Sequence, residues 1–330
     1  MSRILRSIVP LLVLAACTPA APAPASSPDA TARWEGYLPS ADGTRIFYRV
    51  EGSGRDTVVV VHGGPGAGME ALRPDLQPLT RAHTVIFYDQ RGGGRSELPA
   101  DTTHLTADRH VQDLEAVRRF FGLQRMKIVA HSFGPVLVAR YAQQHPGRIA
   151  RMVFLGASGP RRAEAAALAM RTAPDTAAQR RMFTAMRGLM EGTAADPVAT
   201  CREYEAASRA TAAARGEPVR TRGTTCSAPP SAVRYYYRWT ARMGPASFGE
   251  WDFTGGVLAA LDAPLLVIHG DLDPQAVAQQ RAWAAAVRDG RLLLIPNAGK
   301  GAHADRPDLV FPAIDSFLSG RWPDGAQVVR

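Results

Sequence analysis

Apolar residues along this chain follow two alternating patterns. Short apolar runs, several of them β-branched, stand at Arg45–Val50, Thr57–Val61, Thr84–Tyr88, Met126–Ala130, Arg151–Leu155, Pro264–His269 and Arg291–Ile295, and each predicts a strand. Between them apolar positions recur at helical spacing, as with Val111, Leu114, Val117 and Phe121 inside Ala107–Phe121. Val136–Gln144 and Asp308–Leu318 predict further helices. Strand, turn, helix and strand in this order imply parallel βαβ units, hence an α/β fold with a mostly parallel central sheet flanked by helices. From Arg161 to Glu250 the strand pattern gives way to a stretch rich in Ala, Arg and Met, with the aromatic cluster Tyr235, Tyr236, Tyr237 and Trp239. We read that stretch as an inserted helical cap.

The beginning of the chain follows neither pattern. Arg3 and Arg6 precede an apolar run from Ile8 to Ala16, the charged start and short hydrophobic stretch of a secretory signal, too short to span a bilayer stably. The run ends in Leu14-Ala15-Ala16-Cys17, which resembles the bacterial lipoprotein signal, where cleavage precedes the cysteine and Cys17 carries lipid. An ordinary signal peptide with an incidental cysteine is the alternative. Thr18 stands where an inner-membrane retention signal would place aspartate, so the expected address is the periplasmic face of the outer membrane in a host with two membranes. Thr18 to Ala32 is rich in Pro, Ala and Ser and reads as a tether. The expected organisation is a signal peptide at 1–16, a tether at 17–33, fold core at 34–160, cap at 161–250 and the rest of the core at 251–330.

Composition narrows the function classes. At 330 residues and 46% hydrophobic, the chain can bury a substantial core, which excludes a disordered tail protein or a disulfide-dense miniprotein. The net charge of +9 is carried by dispersed arginines, with Lys127 and Lys300 the only lysines, and aromatics make up 7%. Without a clustered basic stripe no nucleic-acid partner is expected. Of three cysteines, lipidation of Cys17 leaves Cys201 and Cys226, an even pair expected to form a disulfide in an oxidising compartment.

Candidate chemistry centres on Ala130-His131-Ser132-Phe133-Gly134, a serine between strand and helix with small flanking residues, the layout of a nucleophile elbow. Upstream, His62-Gly63-Gly64-Pro65-Gly66 follows an apolar strand, and its glycines let main chain approach a substrate. An amide of Gly63 or Gly64, together with that of Phe133, would form an oxyanion hole. His83, His104, His110 and His145 show no metal-ligand spacing. No metal or organic cofactor is expected.

Together with Asp89-Gln90-Arg91-Gly92-Gly93-Gly94-Arg95-Ser96, Asp113-Leu114-Glu115 and Tyr141-Ala142-Gln143-Gln144-His145-Pro146, these segments resemble the proline iminopeptidase branch of the α/β-hydrolases. For Asp89 to Ser96 we expect a bracing rather than catalytic role. The resemblance implies a serine hydrolase that cleaves an acyl bond through an acyl-enzyme, acting as an aminopeptidase on short peptides. An esterase or amidase for small apolar acyl substrates, or a non-catalytic envelope binding protein, is the alternative.

The triad order of this fold is serine, acid, histidine. Gly270-Asp271-Leu272-Asp273-Pro274 resembles the family's acid segment and makes Asp273 the acid, with Asp271 its rival or a turn cap. The histidine departs from the pattern, because Lys300 follows Ala298-Gly299 where the family has histidine, and His303 stands three residues later. A loop adjustment helped by Gly301 would make His303 the base; Lys300 is the rival base, and a disabled triad the third possibility. Glu203, Glu205 and Glu250 are the cap carboxylates available to hold a substrate amine. Oligomeric state is not encoded legibly.

Overall fold

The computed structural model describes residues 34–64, 66–101, 105–163, 176–214, 219, 223–239, 247–256, 258–272 and 274–329. Its sheet contains β1 (Trp34–Pro39), β2 (Arg45–Glu51), β3 (Asp56–Val61), β4 (His83–Tyr88), β5 (Met126–His131), β6 (Ile149–Leu155), β7 (Leu265–Gly270), β8 (Gly290–Ile295) and β9 (Gln327–Val328). The spatial order is β1-β2-β4-β3-β5-β6-β7-β8-β9. Strands β4 through β8 of that order are parallel, with antiparallel pairings at the two edges.

Alternation along the pleat divides the core in two. Val59 and Val61 of β3 join Ile128 and Ala130 of β5 on one face, while Val58, Val60 and Val129 pack on the other. Both faces are covered, which is why these strands read as unbroken apolar runs. Every run that predicts a strand forms one, usually a residue or two longer than its apolar stretch. The edge strands β1 and β9 are additions to the sequence reading; β1 is mostly exposed and β9 wholly so.

In chain order the helices used below are α1 (Arg73–Leu76), α2 (Ala107–Phe120), α3 (Gly134–Gln144), α4 (Ala177–Glu191), α5 (Pro197–Ala214), α6 (Pro230–Arg238), α7 (Pro274–Ala286), α8 (Ala302–Asp305) and α9 (Pro307–Leu318). Thr106 caps α2, its hydroxyl accepting from the Arg109 amide at 3.3 Å. Helices α4, α5 and α6 fall in the interval expected for the cap. They share a small core of Leu189, Cys201, Cys226, Val233 and Tyr237. Cys201 and Cys226 are disulfide-bonded within it. A bridge between Arg161 and Asp252 brings together the two ends of the insertion.

Strand β3 lies between β4 and β5, so the chain leaves it in opposite directions on its two sides. In an open α/β sheet the carboxyl ends of strands at such a reversal flank a crevice suited to ligands. Register places Val61 beside Ala130, bringing the segments that follow β3 and β5 together. Those segments carry Gly63 and Ser132. No described helix is long and apolar enough to cross a membrane. Cys17 and the rest of 1–33 lie outside the described residues.

Candidate active site

Ser132 occupies a sharp turn between β5 and α3, with φ 58, a left-handed conformation rare for a non-glycine residue. The turn is held from both sides. The Ser132 amide donates to Leu155 O at 3.1 Å, and the Ser158 amide donates to Ser132 O at 2.7 Å. Small neighbours are a steric requirement here. A Cβ on Gly134 would lie 2.4 Å from Val61 O, and one on Gly63 would lie 2.7 Å from Ser132 Cβ. Gly63 therefore packs directly on the serine. Phe133 is the N-cap residue of α3, so its amide belongs to the donor-rich end of that helix.

The loop that follows β3 is fixed by a buried His62–Gln90 clamp. His62 Nε2 accepts from the Gln90 amide at 3.1 Å, and Nδ1 donates to Gly63 O at 2.8 Å. Gln90 Nε2 in turn donates to His62 O at 2.8 Å, while Gln90 Oε1 accepts from the Gly66 amide at 3.3 Å. Burial lowers the His62 pKa to about 4, so the ring stays neutral, as its acceptor role requires.

The Asp89–Ser96 turn braces this loop from behind. Asp89 accepts from the Met69 amide at 2.6 Å and from the Arg95 amide at 2.8 Å. Burial nevertheless pushes its pKa up to about 6, against the pull of those amides. Arg91 is fully buried and donates to Asp113 at 2.7 and 2.6 Å and to Asp42 at 2.9 Å. Gly92 lies against α6, because a Cβ there would meet the Tyr235 ring at 2.1 Å.

Lys300, in the loop between β8 and α8, reaches the elbow: its Nζ donates to Ser132 Oγ at 3.2 Å. The sequence expectation that His303 would reach Ser132 differs from this arrangement. His303 is buried on α8, its ring edge-to-face with that of His131 at 5.0 Å and its Nε2 4.0 Å from Asp75 of α1. The path between the two residues explains the difference. Asp305 accepts from the Gly299 amide at 2.9 Å, and Gly299 O accepts from the Gly270 amide at 3.2 Å, which seats position 300 close to the β6 end. A Cβ on Gly156 there would lie 2.3 Å from Lys300 O. The short helix that follows turns His303 towards His131 and α1.

Asp273 lies outside the described residues. Its rival Asp271 caps a turn, its carboxylate accepting from the Asn297 amide at 2.9 Å. Of the three cap carboxylates, Glu203 is exposed on α5. Glu205 accepts from Thr224 Oγ1 at 3.0 and 2.9 Å, from Thr225 Oγ1 at 3.2 Å and from the Thr225 amide at 3.0 Å. Glu250 is exposed and pairs with Arg162 at 3.4 Å. Each is thus engaged in, or exposed at, a place of its own.

Aromatic contacts beside the elbow escaped the sequence reading. Phe133 stacks edge-on with Phe248 at 4.9 Å and with Trp251 at 5.9 Å, bringing the neighbour of Ser132 against residues more than a hundred positions away. Nothing in local spacing could have paired them.

The geometry is that of a nucleophile elbow at the switch point of a parallel sheet, and comparison with known proteins agrees. A family model described as the alpha/beta hydrolase fold matches residues 56–307. The chain belongs to the α/β-hydrolase family. A proline iminopeptidase of Heyndrickxia coagulans is 36% identical over 121 residues, which is 36% of this chain and 42% of that protein. The match therefore spans less than half of that relative's length. A non-heme haloperoxidase of Rhodococcus erythropolis is 29% identical over 296 residues, covering 86% of this α/β-hydrolase and 98% of that protein. The solved proline iminopeptidase of Mycobacterium smegmatis superimposes with a TM-score of 0.62 at 20% identity, over 87% of this chain and 98% of that one, a likeness of fold.

Proposed function

We propose that this α/β-hydrolase cleaves acyl bonds through Ser132, with Lys300 as the base. The observation that carries the reading is the 3.2 Å contact between Lys300 Nζ and Ser132 Oγ at a strained elbow. In its neutral form the Lys300 amine takes the hydroxyl proton while Oγ attacks the substrate carbonyl carbon. The tetrahedral oxyanion is held by the Phe133 amide and by that of Gly63 or Gly64. Collapse breaks the bond to the leaving amine or alcohol, which takes the proton back from the Lys300 ammonium. Water, deprotonated by the same amine, then attacks the acyl-enzyme and releases the acid. Asp273 remains the candidate for orienting the base.

For the substrate we propose a small apolar acyl group. Phe133 supports it, since the residue next to Ser132 is a half-buried aromatic that packs edge-on against Phe248 and Trp251 and makes the surroundings of the elbow apolar. A prolyl group fits that description, and the segment shared with proline iminopeptidases favours peptides with an N-terminal proline as the first substrates to test. The engagement of Glu205 with Thr224 and Thr225 favours neutral aryl esters as the second class, because that carboxylate is already committed. Assay of a proline arylamide against short-chain aryl esters, with Ser132→Ala as the blank, separates the two. Absence of both activities, and of covalent labelling at Ser132, would reduce the chain to a binding protein. Export and lipid attachment through Cys17 complete the proposal, tested by metabolic labelling with a fatty-acid analogue in wild type and Cys17→Ala.

A further inference from the structure

The Cys201–Cys226 disulfide has a third donor beside it. Glu205 stands one helical turn after Cys201 on α5, so both side chains share one face. Cys201 Sγ, Cys226 Sγ and a Glu205 carboxylate oxygen all lie within 4.8 Å of one another. Both cysteines are buried. The carboxylate is held by the Thr224 and Thr225 hydroxyls and by the Thr225 amide, the kind of outer support that orients a metal ligand.

We propose that this cluster becomes a zinc-class metal site when the disulfide is reduced, with Cys201, Cys226 and Glu205 as its protein ligands. A dithiol would supply two electrons and two protons, closing to its own disulfide and leaving two thiols. Those thiols release their protons to solvent as they bind the ion as thiolates. Tetrahedral zinc needs sulfur at about 2.3 Å and carboxylate oxygen at about 2.0–2.2 Å. Donors on such a centre stand about 3.3–3.8 Å apart, reached from the present cluster by small side-chain rotations once the sulfurs part. Two thiolates select against calcium and magnesium, which take oxygen donors. Water fills the fourth position.

The site would preserve what the disulfide does for the cap. The loop carrying Cys226 rests on the core, where the Thr224 amide donates to Glu70 O at 3.1 Å. It also borders a small cleft, about 60 Å³, shared with Asp89 and Arg95. Disulfide and metal are alternative clamps on one loop, one suited to oxidising and the other to reducing surroundings.

The test is a Co²⁺ titration of the full chain carrying Cys17→Ala, reduced by a phosphine, which takes up the oxygen of water as it delivers the electrons. A thiolate-to-cobalt charge-transfer band saturating at one ion per chain, and missing from the oxidised protein, is expected. Cys226→Ser should abolish the band. Glu205→Gln, whose amide oxygen still accepts from Thr224 and Thr225, should weaken binding at least tenfold. No band in the reduced protein, equal affinity in Glu205→Gln, or an equally tight complex with the urea-unfolded chain would each overturn the proposal.

Discussion

Lys300 Nζ lies 3.2 Å from Ser132 Oγ, although 168 positions separate them in the chain. The contact places an amine where this fold is expected to place an imidazole, and the two bases differ most in how they respond to pH. A lysine amine ordinarily keeps its proton to about pH 10.4, whereas an imidazole loses its proton near about 6.5. Only the neutral form can take the serine proton. The rate of covalent labelling at Ser132 should therefore keep rising well above pH 8. A rate that levels off near pH 7 would point to a histidine.

Gly63 has no room for a side chain beside Ser132. A Cβ there would sit 2.7 Å from Ser132 Cβ and 3.1 Å from His131 O, so the loop or the elbow must shift. Gly63→Ala should lower the rate of Ser132 labelling by about 100-fold or more, the scale of losing one oxyanion donor. Thermal unfolding should show a smaller loss, about 1–3 kcal/mol, as for other overpacked sites. Labelling at the wild-type rate would show that the loop yields freely.

Acid should destabilise the fold before it affects surface carboxylates. Burial lowers the His62 pKa to about 4 and that of His110 to about 3. Each ring is neutral when folded but takes a proton near pH 6.5 when unfolded. Their stabilising contribution is therefore complete above about pH 6.5 and is lost as pH falls towards the folded values. For His62 alone the loss by pH 4 is about 3 kcal/mol. Urea midpoints should fall between pH 7 and pH 5, and His110→Gln should flatten that slope. An unchanged midpoint would contradict the account.

Arg91 joins Asp113 and Asp42 in a network at the foot of the Asp89–Ser96 turn. Burial raises the Asp113 pKa, and the Arg91 guanidinium opposes it. Arg91→Met would leave the buried Asp113 carboxylate without its cation, a change that costs about 3–5 kcal/mol at buried pairs. The melting temperature should drop by many degrees, and a pairing replacement, Arg91→Lys, should recover part of it.

How much of this was legible beforehand depends on which force set each feature. Central strands were readable because both faces are buried and the residues say so, as in Val58 to Val61. Strand β1 was not, since Trp34–Pro39 lies mostly in solvent and its pairing with β2 is a matter of edge geometry. The elbow was readable from Ala130 to Gly134 because its sterics are local. Which side chain stands beside Ser132 was not, because turning His303 towards His131 and Lys300 towards Ser132 depends on contacts among Gly270, Gly299 and Asp305, which sequence spacing does not encode. The bracing role expected for the Asp89 turn agrees with its hydrogen bonds to Met69 and Arg95.

The central claim is that Ser132 is activated by Lys300. It is tested most directly by the rate of fluorophosphonate labelling in wild type, Ser132→Ala, Lys300→Met and His303→Asn, each checked for native circular dichroism. The account predicts no labelling of Ser132→Ala, a loss of about 100-fold or more in Lys300→Met, the scale of removing a general base, and labelling within a few-fold of wild type in His303→Asn. Wild-type labelling in Lys300→Met together with its loss in His303→Asn would contradict it.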